Sequence, residues 1–228
     1  MAEAVRTARP VTLNEVRASG DVRAYIDGAN EVMRAMGFTE HGHRHVGIVS
    51  GITRYIMEEL ESSPREVELG TIAAYLHDVG NVINRIDHPM TGANIARELL
   101  STMGMPAEEI VPILGAIGNH EELAGTPTSL MGAAVIIADK SDVHRSRVQN
   151  PIMESFDIHD RVNYAVEKSR VEMDRTKKVV SLVLDVDTTF ASVMEYFEIF
   201  LSRMVMCRRA AKLFGYSFSL HVNGTSLE

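Results

Sequence analysis

The chain has no tryptophan, one cysteine, and only 7 phenylalanines and 6 tyrosines in 228 residues. It also lacks any apolar run approaching the ~18 residues that a membrane helix needs, so a spanning segment is not expected. The N-terminus, MAEAVRTARPV, has no apolar core of the kind found in a secretory signal. A single cysteine, Cys207, excludes an internal disulfide, and its helical setting in RMVMCRRAAKLF reads as a packed free thiol. A reducing cytoplasm is the expected compartment. Basic residues are in deficit, 23 Lys and Arg against 31 Asp and Glu, giving a formal charge of −8. A nucleic-acid polymer needs a basic surface and is not an expected partner. A small anionic substrate is not excluded, since metal ions or a few arginines can reverse the local field.

What is present is an ordinary globular balance, 45% apolar and 24% charged. From residue 21 onward apolar residues recur at helical spacing. Val22, Ile26, Ala29, Met33 and Met36 form one stripe, closed by Gly37. A longer helix runs from about His43 to Leu60 and breaks at Ser63-Pro64. Pro64 suits the first turn of the next helix, which ends at His77-Asp78-Val79-Gly80. Further helices are expected from Pro89 to Met103, after Pro106, and from about Ser129 to Asp142.

The pattern changes after Asn150-Pro151. Val162, Tyr164 and Val166 alternate as in a strand, and Val180, Leu182, Leu184 and Val186 share one face of another. Asp174 to Lys177 supplies a hairpin turn. A helix is expected from Asp187-Thr188, with Phe190, Val193, Met194, Phe197 and Leu201 buried. Tyr216 to Val222 then alternates as a strand, whose free edge suggests a homodimer. The expected fold is therefore mainly α: an N-terminal extension (1–19), a helical domain (20–147), a linker (148–160) and a small α+β unit of β-hairpin, helix and strand (161–226).

The chemistry concentrates in the helical domain. His77-Asp78 closes a strongly apolar helix, TIAAYLHDVG, where an uncompensated carboxylate is costly to bury. Imidazole and carboxylate together suit a divalent transition metal such as Zn, Mn or Fe. A second His-Asp pair, His159-Asp160, lies in the linker and lacks that context. His45, His120 and Asp139 repeat the anomaly, each in line with the apolar face of its helix. Taken singly, each also fits a hydrogen-bonded core histidine or a capping carboxylate. Together they point to a metal centre. Arg85, Lys140, Arg145 and Arg147 are candidate phosphate contacts, and Asn81 can orient water or substrate. His41 and His43 read as loop histidines.

The order His45, His77-Asp78, Asp139 resembles the signature of the HD superfamily, over roughly residues 20 to 147. That resemblance implies a helical phosphohydrolase using divalent metal, with His77 and Asp78 at the catalytic centre. HDVGN, HPMTGANIARELL, AIGNHEE and IIADKSDVHRSR are similar to the two-metal branch, which includes HD-GYP phosphodiesterases and enzymes that cut dinucleoside tetraphosphates. By that likeness His45, His77, Asp78 and Asp139 hold one ion, and His88 and His120 hold a second, with Asp78 bridging. The chain departs from the branch at Asn81, at Asn119-His120, and in LAGTPTSLMG where the GYP element would stand. These departures point away from a cyclic dinucleotide. The expected function is hydrolysis of a phosphate ester or anhydride, of a nucleotide or other small phosphorylated metabolite, by a metal-activated hydroxide. Fe or Mn, or else Zn, Co or Ni, is the expected cofactor. The alternative is a catalytically inactive HD domain that binds nucleotides or signals. A di-iron oxygenase is a third reading, without a positive sign in the sequence.

Overall fold

The computed structural model describes residues 9–227, so residues 1–8 of the expected N-terminal extension lie outside the described residues. The rest of that extension belongs to the core: Val11, Leu13 and Val16 are buried. Helix α1 (Leu13–Ala18) starts on a reciprocal cap, with Thr12 accepting from the Glu15 amide and Glu15 accepting from Thr12. Helices α2 (Gly20–Ala35), α3 (His43–Glu59), α4 (Pro64–Leu76), α5 (His88–Thr102), α6 (Ala107–Gly118) and α7 (Leu130–Ser141) follow, within a residue or two of the expected bounds. Ser63 and Glu66 cap α4 in the same reciprocal way, with Pro64 in its first turn.

Two helices form the centre. From Leu69 to Leu76 every residue of α4 is buried, as is every residue of α7 from Met131 to Ala138. A helix apolar on all sides has to be surrounded. Around this pair α3, α6 and a later helix, Val193–Leu213, pack. Both central helices carry polar chemistry at their C-terminal ends, so the residues that follow the apolar runs are drawn into the interior with them.

Past His77-Asp78 the chain makes one 3-10 turn, Val79–Val82, before α5. A Cβ on Gly80 would fall on the main chain of His88 and Gly92. Only glycine permits that approach, which brings the first residue of α5 against the end of α4.

The C-terminal unit departs from expectation in four places. Residues 161–165 are not strand but the end of helix α8 (Ile158–Ala165), which starts where Asp157 accepts from the Asp160 amide. Within the helix Val162 and Ala165 are buried three residues apart, a helical spacing that the Val-x-Tyr-x-Val alternation disguised. Strands β1 (Val166–Asp174) and β2 (Val179–Val186) form the expected hairpin, and Val180, Leu182, Leu184 and Val186 are buried.

Helix α9 (Val193–Leu213) begins later than expected. Asp187 turns onto Thr189 instead, and Ser192 with Glu195 makes the cap. Its buried face is Tyr196, Phe200, Met204, Cys207 and Ala211, whereas Phe190, Met194 and Leu201 are exposed. The helix is apolar on two sides, and the side with small Cys207, Ala210 and Ala211 packs on α7. Finally, β3 (Ser217–Val222) runs parallel to β2, and β4 (Thr225–Leu227) pairs with its last three residues, in the order β1-β2-β3-β4. The edge that suggested a homodimer is covered from Leu220 to Val222. No helix among the described residues is long and apolar enough to cross a membrane.

Candidate metal centre

Six side chains from five helices or their ends converge in the interior. His45 lies in the first turn of α3, His77 caps α4 with Asp78 next, His88 opens α5, His120 follows α6, and Asp139 sits in the last turn of α7. His45, His77, Asp78, His88 and His120 are 3% exposed or less, far below what solvated side chains of these types show. Asp139 is slightly more open, its side chain 13% exposed.

The ring nitrogens define what the cluster is for. His45 Nδ1 faces Asp142 Oδ2 at 2.7 Å, and His77 Nδ1 faces the Ala74 carbonyl at 2.7 Å. His88 Nδ1 faces the Arg85 carbonyl at 2.8 Å and His120 Nδ1 the Ile117 carbonyl at 2.6 Å. An oxygen that can only accept assigns a proton to each Nδ1. The inward Nε2 atoms then present lone pairs in a neutral ring. These meet in pairs, His45 to His77 at 3.3 Å and His88 to His120 at 3.0 Å. Facing lone pairs need positive charge between them.

Asp78 stands between the pairs. Its Oδ2 is 3.5 Å from His45 Nε2 and 3.3 Å from His77 Nε2, while its Oδ1 is 3.4 Å from His88 Nε2 and 3.8 Å from His120 Nε2. Asp139 Oδ1 joins the first pair, 3.3 Å from His45 Nε2 and 3.6 Å from His77 Nε2. Three groups of three ligand atoms lie within 4.8 Å of one another: His45, His77 and Asp78; His77, His120 and Asp139; and Asp78, His88 and His120. Buried imidazole lone pairs and carboxylates in this number fit a divalent transition metal.

With no metal, protons supply the charge. Burial and Arg147 depress His45, but the carboxylates of Asp139, Asp142 and Asp78 outweigh them and raise it to about 9. Burial also opposes His77, which Asp78 and Asp139 raise to about 10. Burial disfavours the charged form of Asp78 and Asp139, yet both stay well below the usual carboxylate range, Asp78 mainly through His77 and Asp139 mainly through Lys140. His88 goes the other way: burial, with His120 beside it, lowers it to about 3.

The remaining sequence candidates divide. Arg85 reaches the cluster, its Nη1 3.2 Å from His88 Nε2 and its Nη2 3.1 Å from Glu121 Oε2. Asn81 is buried and donates to Asp78 Oδ1 at 2.8 Å, so it orients the ligand. Lys140 is buried between Asp139 and Glu122, 2.8 Å from each. Arg147 is buried too, but donates to the Glu40 and Asp142 carbonyls. Arg145 pairs with Glu167 at 2.9 Å and stacks over Tyr164, away from the cluster. Of the loop histidines, His43 is half-exposed beside Asp27. His41 is buried, its ring 5.5 Å from that of His45.

The sequence reading passed over Asp142, Glu121 and Glu122. Asp142 follows Asp139 by three residues and so lies on the same helical side, the one signal that could have found it. Arg44 grips it with both nitrogens, at 3.0 and 3.2 Å. Beside the second pair a cavity of about 740 Å³ opens, with Arg85, His88 and Glu121 in its wall.

A family-model match falls on the residues of this cluster. The HD domain family model matches residues 42–144, which include all six converging residues. An uncharacterised protein of Methanocaldococcus jannaschii, MJ1020, is 23% identical over 184 residues, covering 70% of each chain. The crystal structure of a predicted HD superfamily hydrolase from an uncultured Thermotogales bacterium is similar at 25% identity and a TM-score of 0.44, over 59% of this chain and 75% of that one. Residues 42–144 form an HD domain.

Proposed function

We propose that the chain hydrolyses a phosphate ester at a centre of two divalent transition-metal ions. His45, His77, Asp78 and Asp139 would hold one ion. His88 and His120 would hold the other, with Asp78 shared. The observation that carries this reading is the division of Asp78, one oxygen turned to each pair of facing imidazole nitrogens.

Ions bound there supply Lewis acidity toward a phosphoryl oxygen and lower the pKa of water. The chain's own residues do the rest. Nδ1 acceptors fix the four imidazoles, so the Nε2 lone pairs point inward without reorganising. Asn81 holds Asp78 by one oxygen. Arg85, partly exposed at the cavity wall, can turn its guanidinium to two phosphoryl oxygens at once. The water oxygen bonds to phosphorus, the phosphorus–oxygen bond to the alcohol breaks, and the alcohol leaves with a proton. Burial keeps bulk water from the reacting atoms.

The test is elemental analysis of protein purified without oxygen, followed by a panel of phosphate esters with Mn, Fe, Co, Ni and Zn supplied in turn. About two ions per chain, and cleavage of at least one ester, are expected. Metal and tight nucleotide binding without any turnover would replace this reading with that of a binding or signalling module.

A further inference from the structure

The cavity beside His88 is chemically unlike the cluster it joins. Ile86, Pro89, Met90, Leu114 and Leu123 are among its lining residues, and Ile86, Met90 and Leu123 are 75%, 61% and 90% exposed. Large apolar side chains gathered in the open around a concavity are a costly arrangement unless something apolar covers them.

Two amide side chains in its wall bond the main chain. Asn119 donates to the Gly115 carbonyl at 2.9 Å and accepts from the Thr126 amide at 3.4 Å. Asn94 donates to the Met90 carbonyl at 2.9 Å. Arg85 and Glu121 bind each other next to the cluster. A sugar would find few polar partners here: the exposed Asp87 carboxylate, and Arg85 and Glu121, which already bind each other. A nucleobase would find no Phe, Tyr or Trp among the described lining residues to stack on.

We infer that this cavity takes the alkyl group of the substrate, so that the ester cleaved is one of an apolar aliphatic alcohol. This rests on the hydrolase reading for the reaction but on the cavity alone for the specificity. The phosphoryl group would sit at His88 and Arg85, with the alkyl chain running along α5 and α6 past Gly115. A Cβ on Gly115 meets no atom within 4 Å, so a side chain there would grow into the space the alkyl group needs.

The test uses n-alkylphosphonates from ethyl to octyl, which cannot be hydrolysed, titrated by calorimetry into Mn-loaded protein. Affinity should rise about fourfold per methylene that enters the cavity, or on the order of 200-fold from ethyl to hexyl. Gly115→Leu should flatten that dependence while the variant keeps its metal content. If Gly115→Leu fails to fold, Leu123→Asp changes an exposed side chain and should reduce hexylphosphonate affinity several-fold. Affinity independent of chain length, a dependence untouched by both variants, or adenosine monophosphate binding tighter than hexylphosphonate would each overturn the inference. Chain-length-dependent binding in a protein that cleaves no ester would remove the hydrolase reading and leave the cavity's assignment standing. Cleavage with no chain-length dependence would do the reverse.

Discussion

The two sides of Asp78 are supported in different ways. On the Oδ2 side, His45 is held by the carboxylate of Asp142, which Arg44 grips in turn, and Asp139 leans on buried Lys140. On the Oδ1 side, His88 and His120 are held by main-chain carbonyls alone, and the nearest cation is Arg85 at a cavity wall. The inner half is fixed by charged groups at His45 and Asp139 and by the Ala74 carbonyl at His77. The outer half is fixed by backbone and borders an open space. Such a division suits an inner ion that is retained and an outer one that meets the substrate.

The largest effect expected is that of Asp78→Ala, because Asp78 alone serves both halves. Elemental analysis should find both ions lost, and hydrolysis should fall on the order of a thousandfold or more. His88→Ala should remove only the outer ion. If His88→Ala also empties the inner half, the two sides are not independent and the comparison fails. Asp142→Asn comes next. It keeps the shape of the carboxylate that orients His45 but removes its charge, and inner-ion affinity should fall about 10- to 100-fold. The outer half has no equivalent side chain to change, since its Nδ1 acceptors are backbone.

Protons separate the halves as well. His45 and His77 are raised to about 9 and 10 in the metal-free chain, above the ordinary value of 6.5. Their contribution to metal-free stability is fully present below pH 6.5 and is lost as pH rises through 9 to 10. His88 is lowered to about 3, so its neutral state favours the fold above pH 6.5 and that advantage is lost as pH falls toward 3. The metal-free protein should therefore melt highest near pH 6.5. At pH 7 metal entry should displace about one to two protons from the inner half and none from His88. Calorimetry in buffers of different ionisation enthalpy measures that release.

Much of this was legible in the sequence. Helical periodicity and Pro-Gly punctuation located α2 to α7 closely, because each buried stripe is continuous and serines cap α2, α4 and α7, at Ser19, Ser63 and Ser129. The six converging residues were legible for a related reason: polar side chains in line with apolar faces have to be compensated inside. Arg145 and Arg147 were misleading because a basic residue near a carboxylate ligand looks the same whether it turns inward or binds a carbonyl. In the C-terminal unit Val162-Tyr164-Val166 satisfies both a period of 2 and a spacing of 4. Only the Asp157 cap and the packing decide between them. The buried face of α9 was illegible because the helix has two apolar sides, and the partner that chooses between them, α7, is 52 residues earlier in the chain (193 − 141).

That partnership yields the smallest prediction. Arg203 on α9 lies 3.4 Å from Glu122, which neutralises Lys140, which in turn holds Asp139. The chain of contacts carries the C-terminal unit to the edge of the inner half. Burial disfavours the Glu122 carboxylate, but Lys140 and then Arg203 hold it down to about 2. Lys140 is the nearer partner and remains when Arg203 is removed. Arg203→Met should therefore cost about 1 kcal/mol and lower Tm by about 2–4 °C. Metal affinity of the inner half should change less than tenfold. A larger loss would mean that Lys140 needs Arg203 to keep Glu122 in place, and the inner half would then depend on α9 as much as on α3 and α4. Glu122→Gln separates these cases. It leaves Lys140 a single carboxylate at 2.8 Å, Asp139, and should tighten that pair at the expense of Asp139's hold on the ion.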